Sequence, residues 1–296
     1  MESHCPRQEL GERLSKLSDL AAESGLERVG KRPKLSRYLR DVWIRRAFAL
    51  TLSQYRLLAT SARSRLGVAW LIIVPALQIT LYGLIFGLVL GDSRPANFLP
   101  YLVVGVVLFQ FLAGSFSDGA RSISSNSALA KSLSFPRVLL PMSAMVSQWM
   151  KFSGLMLLAL IALPILGEMP RWSWLMIVPV IGLASLFALG IGMMAARLTV
   201  HFNDLSSLIP FITRIAFYAS GVFFSMDRLT DAISWLGFLV WANPVSVYLS
   251  LARDVMITGH PVDAWMWWVG AGWGVFTLVF GFFFFWSAEE RYGRAG

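Results

Sequence analysis

The run Gly25-Leu26-Glu27-Arg28-Val29-Gly30-Lys31 spells the first seven positions of the phosphate-binding loop G-x-x-x-x-G-K-[ST]. That loop works because a buried strand leads into it and a Ser or Thr hydroxyl at the eighth position reaches Mg²⁺. Here the eighth residue is Arg32, the ninth is Pro33, and the preceding stretch is polar. The match is coincidental, and the sequence offers no nucleotide site. Metal chemistry has no better footing. His4, His201 and His260 are far apart, and no Cys or His cluster has ligand spacing. Cys5 stands alone, which excludes an internal disulfide framework.

Acid–base work at a membrane face needs paired acids or histidines. The candidates are Asp118, Asp204, Asp227 and Asp231, and none has a visible partner in the sequence. A membrane-embedded enzyme of lipid-linked sugar metabolism is therefore an alternative, as is a non-transporting scaffold. Ion-driven transport places acids inside the helix bundle. The apolar stretches expected to cross contain only Lys151 and Arg214. Lys151 can snorkel to the interface, whereas Arg214, deeper in its stretch, needs a protein interface or a hydrated cavity. Aromatic rings, which can stack on sugars or simply pack, crowd the same region: Phe211, Phe217, Tyr218, Phe223 and Phe224.

The elements that position these residues are set by composition. The chain has 296 residues, is 56% hydrophobic and carries only 15% charged residues, against about 25% in soluble domains. Of 26 Lys and Arg, 14 fall within the first 65 residues. A basic arm beside apolar spans points to the anionic cytoplasmic leaflet rather than to nucleic acid. The first forty residues contain no apolar h-region, so the arm is expected to be retained. A membrane helix needs about 20 apolar residues. Charge-poor runs therefore predict six spans at about 67–90, 97–117, 139–167, 173–196, 205–226 and 264–288, within a transmembrane domain over 66–288. Residues 232–252 are also long enough to cross, but Asn243-Pro244 breaks their middle. The stretch about 228–260 reads as re-entrant, with a Pro-kinked seventh span as the alternative.

With six spans and the N-terminus inside, cytoplasmic segments hold 20 of the 26 basic residues. Outer segments hold four, Arg94, Arg171, Arg228 and Arg253. That asymmetry orients the N-terminus to the cytoplasm. Residues 1–33 read as a polar lead, 34–65 as an interface-helix region and 289–296 as a cytoplasmic tail. In the interface region Leu35, Tyr38, Leu39, Val42 and Trp43 recur on one helix face, with Arg37, Arg40, Asp41 and Arg45 on another. Such a helix should lie along the inner membrane surface. Gly83, Gly87 and Gly91 put small residues on one face of the first span, which permits close helix approach within the bundle or between subunits. The loop from Asp118 to Pro141 is Ser-rich, and Pro136 and Pro141 redirect the chain just before the third span. It suits docking to a cytosolic partner.

Four sets of residues, in this order, carry a resemblance. They are Tyr55-Arg56 with Ser64-Arg65-Leu66-Gly67-Val68-Ala69-Trp70 and Pro75, then Leu129-Ala130-Lys131-Ser132 leading to Phe135-Pro136-Arg137 and Pro141. Asn243-Pro244 and Glu289-Glu290-Arg291-Tyr292-Gly293 complete it. Over about residues 35–296 the chain resembles the membrane permeases of ABC exporters for polysaccharides, O-antigens and teichoic acids. Several stretches look closest to actinobacterial members that export lipid-linked galactan. The chain departs from the family in having His201-Phe202-Asn203-Asp204 where many members carry Arg-Phe-Arg-Asp, and in having Arg214 where an uncharged polar residue is usual.

The resemblance implies an all-α integral plasma-membrane protein, a homodimer of six-helix subunits bound to two copies of a separate ABC ATPase. ATP and Mg would sit on that partner, with no cofactor and no catalytic residue on this chain. It implies an interface helix in the arm (Trp43, Arg46) and a coupling loop (Arg121, Lys131, Phe135, Pro136, Arg137), both gripping the ATPase. First and fifth spans would line a glycan path past Tyr82, Phe86, Arg214, Phe217, Tyr218 and Phe224. Re-entrant outer helices, with Asn243 and Pro244, would gate it.

Overall fold

In the computed structural model the described residues are 34–61, 65–89, 97–132, 135–202, 204–223, 242–259 and 263–289. They form helices and connecting turns, with no strand among them. The polar lead 1–33, Phe224, most of the expected re-entrant stretch and the tail beyond 289 lie outside the described residues.

The interface region is two helices, not one. Helix α1 (Leu35–Ile44) ends at Arg45, and α2 (Arg46–Ser61) follows at once. The face expected to be apolar divides: Tyr38 is buried, Leu35 and Val42 are half-buried, and Leu39 and Trp43 stay exposed. Helix α2 buries Ala49 and Ser53.

Helix α3 (Trp70–Val89) is the first of five helices among the described residues that are long and apolar enough to cross a membrane. The others are α4 (Phe98–Ala120), α6 (Leu139–Ile165), the long stretch Trp172–His201 and α10 (Trp265–Trp286). A short helix α5 (Ser127–Ser132) lies between α4 and α6. The stretch 172–201 opens with a 3₁₀ turn, Trp172–Met176, and continues as α7 (Ile177–His201). The expected fifth span appears as α8 (Leu205–Ala219). Its 15 residues rise about 22 Å, less than the roughly 30 Å hydrocarbon core. A turn at Ser220-Gly221, with Gly221 at φ 68°, ends it, because positive φ is open mainly to glycine. Helix α9 (Pro244–Met256) begins where the sequence break was read. The Asn243 side chain accepts from the Val245 N–H at 3.1 Å, and Pro244 takes the first helical position, where a missing N–H costs nothing.

Helix α4 is the centre of the bundle, with 78% of its apolar stretch buried against 11% for α3. Around it the core joins Leu102, Phe111, Leu163, Val180, Tyr248 and Leu251. The closest helix crossings use glycines outside the Gly83 stripe. A Cβ on Gly190 of α7 would lie 2.3 Å from the Thr277 backbone of α10. One on Gly281 would lie 2.4 Å from the Gly190 carbonyl, and one on Gly119 of α4 would lie 2.8 Å from Gly192. Gly83 faces the Leu99 side chain, and Gly87 faces open space.

Candidate functional site

Of the residues expected to form a coupling loop, Phe135, Pro136 and Arg137 fall at one junction with the arm. Phe135 packs its ring 5.1 Å from Phe48 of α2, and Pro136 is buried beside it. Arg137 is the ion-pair partner of Glu289, Nη1 to Oε1 at 3.5 Å, and its backbone N–H donates to the same Oε1 at 2.9 Å. Tyr38 of α1 donates its hydroxyl to Glu289 Oε2 at 2.9 Å and accepts from the Val138 N–H at 3.3 Å. Burial pushes the Glu289 carboxyl up from its ordinary value, and the Arg137 N–H, the Tyr38 hydroxyl and the Arg137 guanidinium pull it back. In the arm the Arg46 guanidinium sits 4.2 Å over the Trp43 ring. Arg121 is exposed and reaches the Ser206 carbonyl at 3.4 Å. Lys131 lies on α5, with its side chain outside the described set.

Lys151 does not need to snorkel. Helix α4 runs on to Ala120, so Asp118 falls on its last turn instead of beyond the span. Lys151 Nζ lies 2.9 Å from Asp118 Oδ2, and Gln148 donates to the same oxygen. The missing partner for Asp118 was 33 residues away, beyond the reach of any local pattern. Arg56 of α2 is near enough to feel Asp118, though burial dominates and lowers its pKa. Asp118 is thus engaged by cations and an amide, which removes it as a free acid for the enzyme alternative. Asp204 is exposed.

The structure gathers four of the aromatic residues expected along the glycan path, Tyr82, Phe86, Phe217 and Tyr218, around Phe223, while Phe224 lies outside the described residues. Tyr82 and Phe86, one turn apart on α3, lie 5.1 and 4.1 Å from Phe223, the latter stacked. Phe217 of α8 is 5.6 Å from Tyr82 and 4.9 Å from Phe109 of α4. Tyr218 joins at 5.6 Å from Phe217 and 5.9 Å from Phe223. Phe223 is the buried hub, whereas Tyr218 is half-exposed. Arg214, one turn earlier on α8, is exposed on the same apolar helix as Phe211 and Ile215. Leu77, Leu81, Leu84 and Leu88 of α3 are also uncovered. Two amides pair inside this apolar region, Gln110 donating to Gln78 at 2.7 Å.

The other end of the molecule is tied through α9. Asn243 Nδ2 donates to the Ala219 carbonyl at 3.2 Å, so one amide side chain ends α8 and starts α9. Arg253, taken in the sequence as an outer-loop charge, is buried within α9. Its guanidinium donates to the Gly221 and Val222 carbonyls at 3.0 and 3.1 Å and lies 3.4 Å from the Tyr101 ring centre. Glu168, also buried, accepts from Asn97 at 2.8 Å and from the Thr258 backbone and hydroxyl at 3.0 and 2.8 Å. Ser173 and Trp174 donate to the Val255 and Met256 carbonyls at 2.9 and 3.1 Å. Arg253 and Glu168 sit next to helix breaks, the only sequence hint of their role.

Comparison with known proteins bears on the same helices. Residues 50–257 match the family described as ABC-2 type transporter. Over 197 residues the chain is 25% identical to an O-antigen export system permease protein RfbA of Klebsiella pneumoniae, covering 66% of this chain and 74% of that protein. Over 196 residues it is 28% identical to the O-antigen export system permease protein RfbA of Myxococcus xanthus, covering 66% and 75% respectively. The family match runs from the second turn of α2 to just past α9 and takes in the 118–141 loop, the aromatic cluster and the buried arginine. With its apolar helices of spanning length, this multi-pass membrane protein belongs to the ABC-2 type transporter family.

Proposed function

We propose that this chain is the permease subunit of an ATP-driven exporter moving a lipid-linked cell-envelope polysaccharide from the cytoplasm to the outer side of the plasma membrane. The observation that carries this reading is the aromatic cluster of Tyr82, Phe86, Phe217, Tyr218 and Phe223, lying where α3 and α8 leave an uncovered face. Rings can bind successive sugars by stacking without demanding one hydrogen-bond pattern. An arginine on an otherwise apolar membrane helix is costly in lipid, by about 2.5–3.5 kcal/mol at mid-bilayer. In this reading Arg214 lies on a hydrated path, where it meets hydroxyls or the carrier's phosphate.

In this reading two copies face each other across α3 and α8 and enclose the path. Two copies of a separate ATPase dock on the coupling loop and on Trp43 and Arg46, and the N-terminus is cytoplasmic. ATP closure of the ATPases moves the loop, and nucleotide biases the two states only by binding one of them better. Asn243 and Pro244, at the joint of α8 and α9, act at the outer exit. The resemblance to galactan exporters makes a lipid-linked galactan the first substrate to try, with O-antigen and teichoic acid next.

The test is depletion of this protein in its own cell, followed by chemical analysis of lipid-linked glycan. Accumulation of a complete glycan on the inner leaflet, relieved by the wild-type chain, is expected. Unchanged glycan distribution would defeat the proposal.

A further inference from the structure

Helix α6 has no cap of its own: Val138 stands at its N-cap position and no side chain there bonds the first turn. The free N–H groups of such an end carry partial positive charge and call for an acceptor. The Leu139, Leu140 and Met142 N–H groups find the local Pro136, Arg137 and Val138 carbonyls, but the two N–H groups that lead into the helix find acceptors from elsewhere in the chain. The Arg137 N–H finds the Glu289 carboxylate, 152 residues away, and the Val138 N–H finds the Tyr38 hydroxyl, 100 residues away. Tyr38 in turn donates to Glu289, 251 residues away, which fixes the direction of every proton in the group. Arg137 adds its guanidinium to Glu289, to the Glu289 carbonyl at 3.4 Å and to the Ala130 carbonyl at 3.5 Å. Glu289 and Tyr38 are 4% and 1% exposed, so water does not compete.

The same end of α10 is fastened to α7. Arg197 donates to the Phe284 carbonyl and the Ser287 hydroxyl, and its guanidinium covers the Phe284 ring at 4.0 Å. Further along, backbone meets backbone at Gly190 and Gly281. Helices α7 and α10 therefore form one stiff pair, and Glu289 is the side chain that joins that pair to both the coupling loop and the arm.

We propose that Glu289 is a positioning residue for energy coupling. By bonding the Arg137 N–H and guanidinium at the entry to α6 from just past the end of α10 while holding Tyr38, it makes the loop, the arm and the α7–α10 pair move as one piece. This rests on the reading that an ATPase docks beneath the loop. Glutamine at this position keeps the volume but supplies one acceptor where two are used. Its amide would face a Tyr38 oxygen that already accepts from Val138.

The experiment uses the full chain with its ATPase in inverted membrane vesicles carrying radiolabelled endogenous lipid-linked glycan. Phosphate release and periodate-protected label are measured together, alongside the amount of assembled complex. E289Q is expected to release phosphate within about two-fold of wild type and to protect at least ten-fold less glycan per phosphate. Tyr38→Phe should shift the ratio in the same direction by less. An unchanged ratio in E289Q, or a loss that follows only the amount of complex, would overturn the positioning role while leaving the exporter intact. Wild-type vesicles that show no ATP-dependent protection would instead sink the exporter reading, and this inference with it.

Discussion

Arg253 holds its guanidinium 3.4 Å from the centre of the Tyr101 ring while donating to two consecutive carbonyls, those of Gly221 and Val222. Tyr101 donates to the same Gly221 carbonyl at 3.2 Å. A charge that would otherwise be costly to bury is thus spread over a π face and two carbonyls at the end of α8. Arg253→Met keeps the length and removes all of this. A loss of about 2–4 kcal/mol is expected from the charge-assisted bonds and the ring contact. Thermal melting in detergent checks it, and a melting temperature equal to wild type would contradict the arrangement. Arg253→Lys, with no planar fork, should fall between the two.

At the other face, Asp118 is the shared partner of Lys151 and Gln148 and lies close to Arg56. Removing the acid leaves two cations facing each other, whereas removing Lys151 leaves Asp118 with Gln148 and Arg56. Asp118→Asn should therefore cost more than Lys151→Met, and the two should not add. The pair is partly exposed, so its coupling is on the order of 0.5–1 kcal/mol. A double-mutant cycle on melting reads it directly; strict additivity would show that the pair contributes nothing.

Gly190 and Gly281 should not tolerate a methyl group. A Cβ at 2.3–2.4 Å from backbone atoms cannot be relieved by a side-chain rotation. Overpacking typically costs 1–3 kcal/mol, and here a helix must move. Gly190→Ala and Gly281→Ala are expected to yield little monodisperse protein. Gly87→Ala, which meets open space in one protomer, should yield normal amounts. Equal recoveries by size-exclusion chromatography would refute the close crossing.

Glu289 predicts a pH effect with a definite sign. Burial raises its folded pKa above the unfolded value, so the fold holds the extra proton. Stability from this group is greatest in acid and declines as pH climbs from the ordinary carboxylate value through the raised one. Protonation nevertheless removes the charge facing Arg137 and the acceptor facing Tyr38. Glycan protected per phosphate should fall as pH drops through the raised value, without a matching fall in melting temperature. E289Q should abolish that limb; a limb that persists in E289Q belongs to another group.

The apolar runs were readable because a membrane helix announces itself through one property over about 20 residues. That is why α3, α4, α6, α7 and α10 fall on the charge-poor runs. The break at Asn243-Pro244 was equally visible, since a proline acts locally. Pairings were not visible. Asp118 with Lys151, Tyr38 with Glu289 and Arg253 with Tyr101 are separated by 33 to 251 residues, and no periodicity records such distances. The tight crossings inside the subunit were not visible for a related reason. Gly83 and Gly87 are regularly spaced, yet the tight crossings fall at Gly119, Gly190, Gly192 and Gly281, whose partners lie on other helices. Helix α8 ended early because Gly221 turns the chain where composition alone ran on.

The seat of α6 is built from parts made at very different times. A ribosome finishes Tyr38 and Arg137 long before Glu289, which follows them by 251 and 152 residues. Until residue 289 has been made, the Arg137 N–H lacks its carboxylate, and the loop is held to the arm by Phe48 against Phe135 and by the Tyr38 hydroxyl. The brace that joins loop, arm and the α7–α10 pair therefore closes last in synthesis.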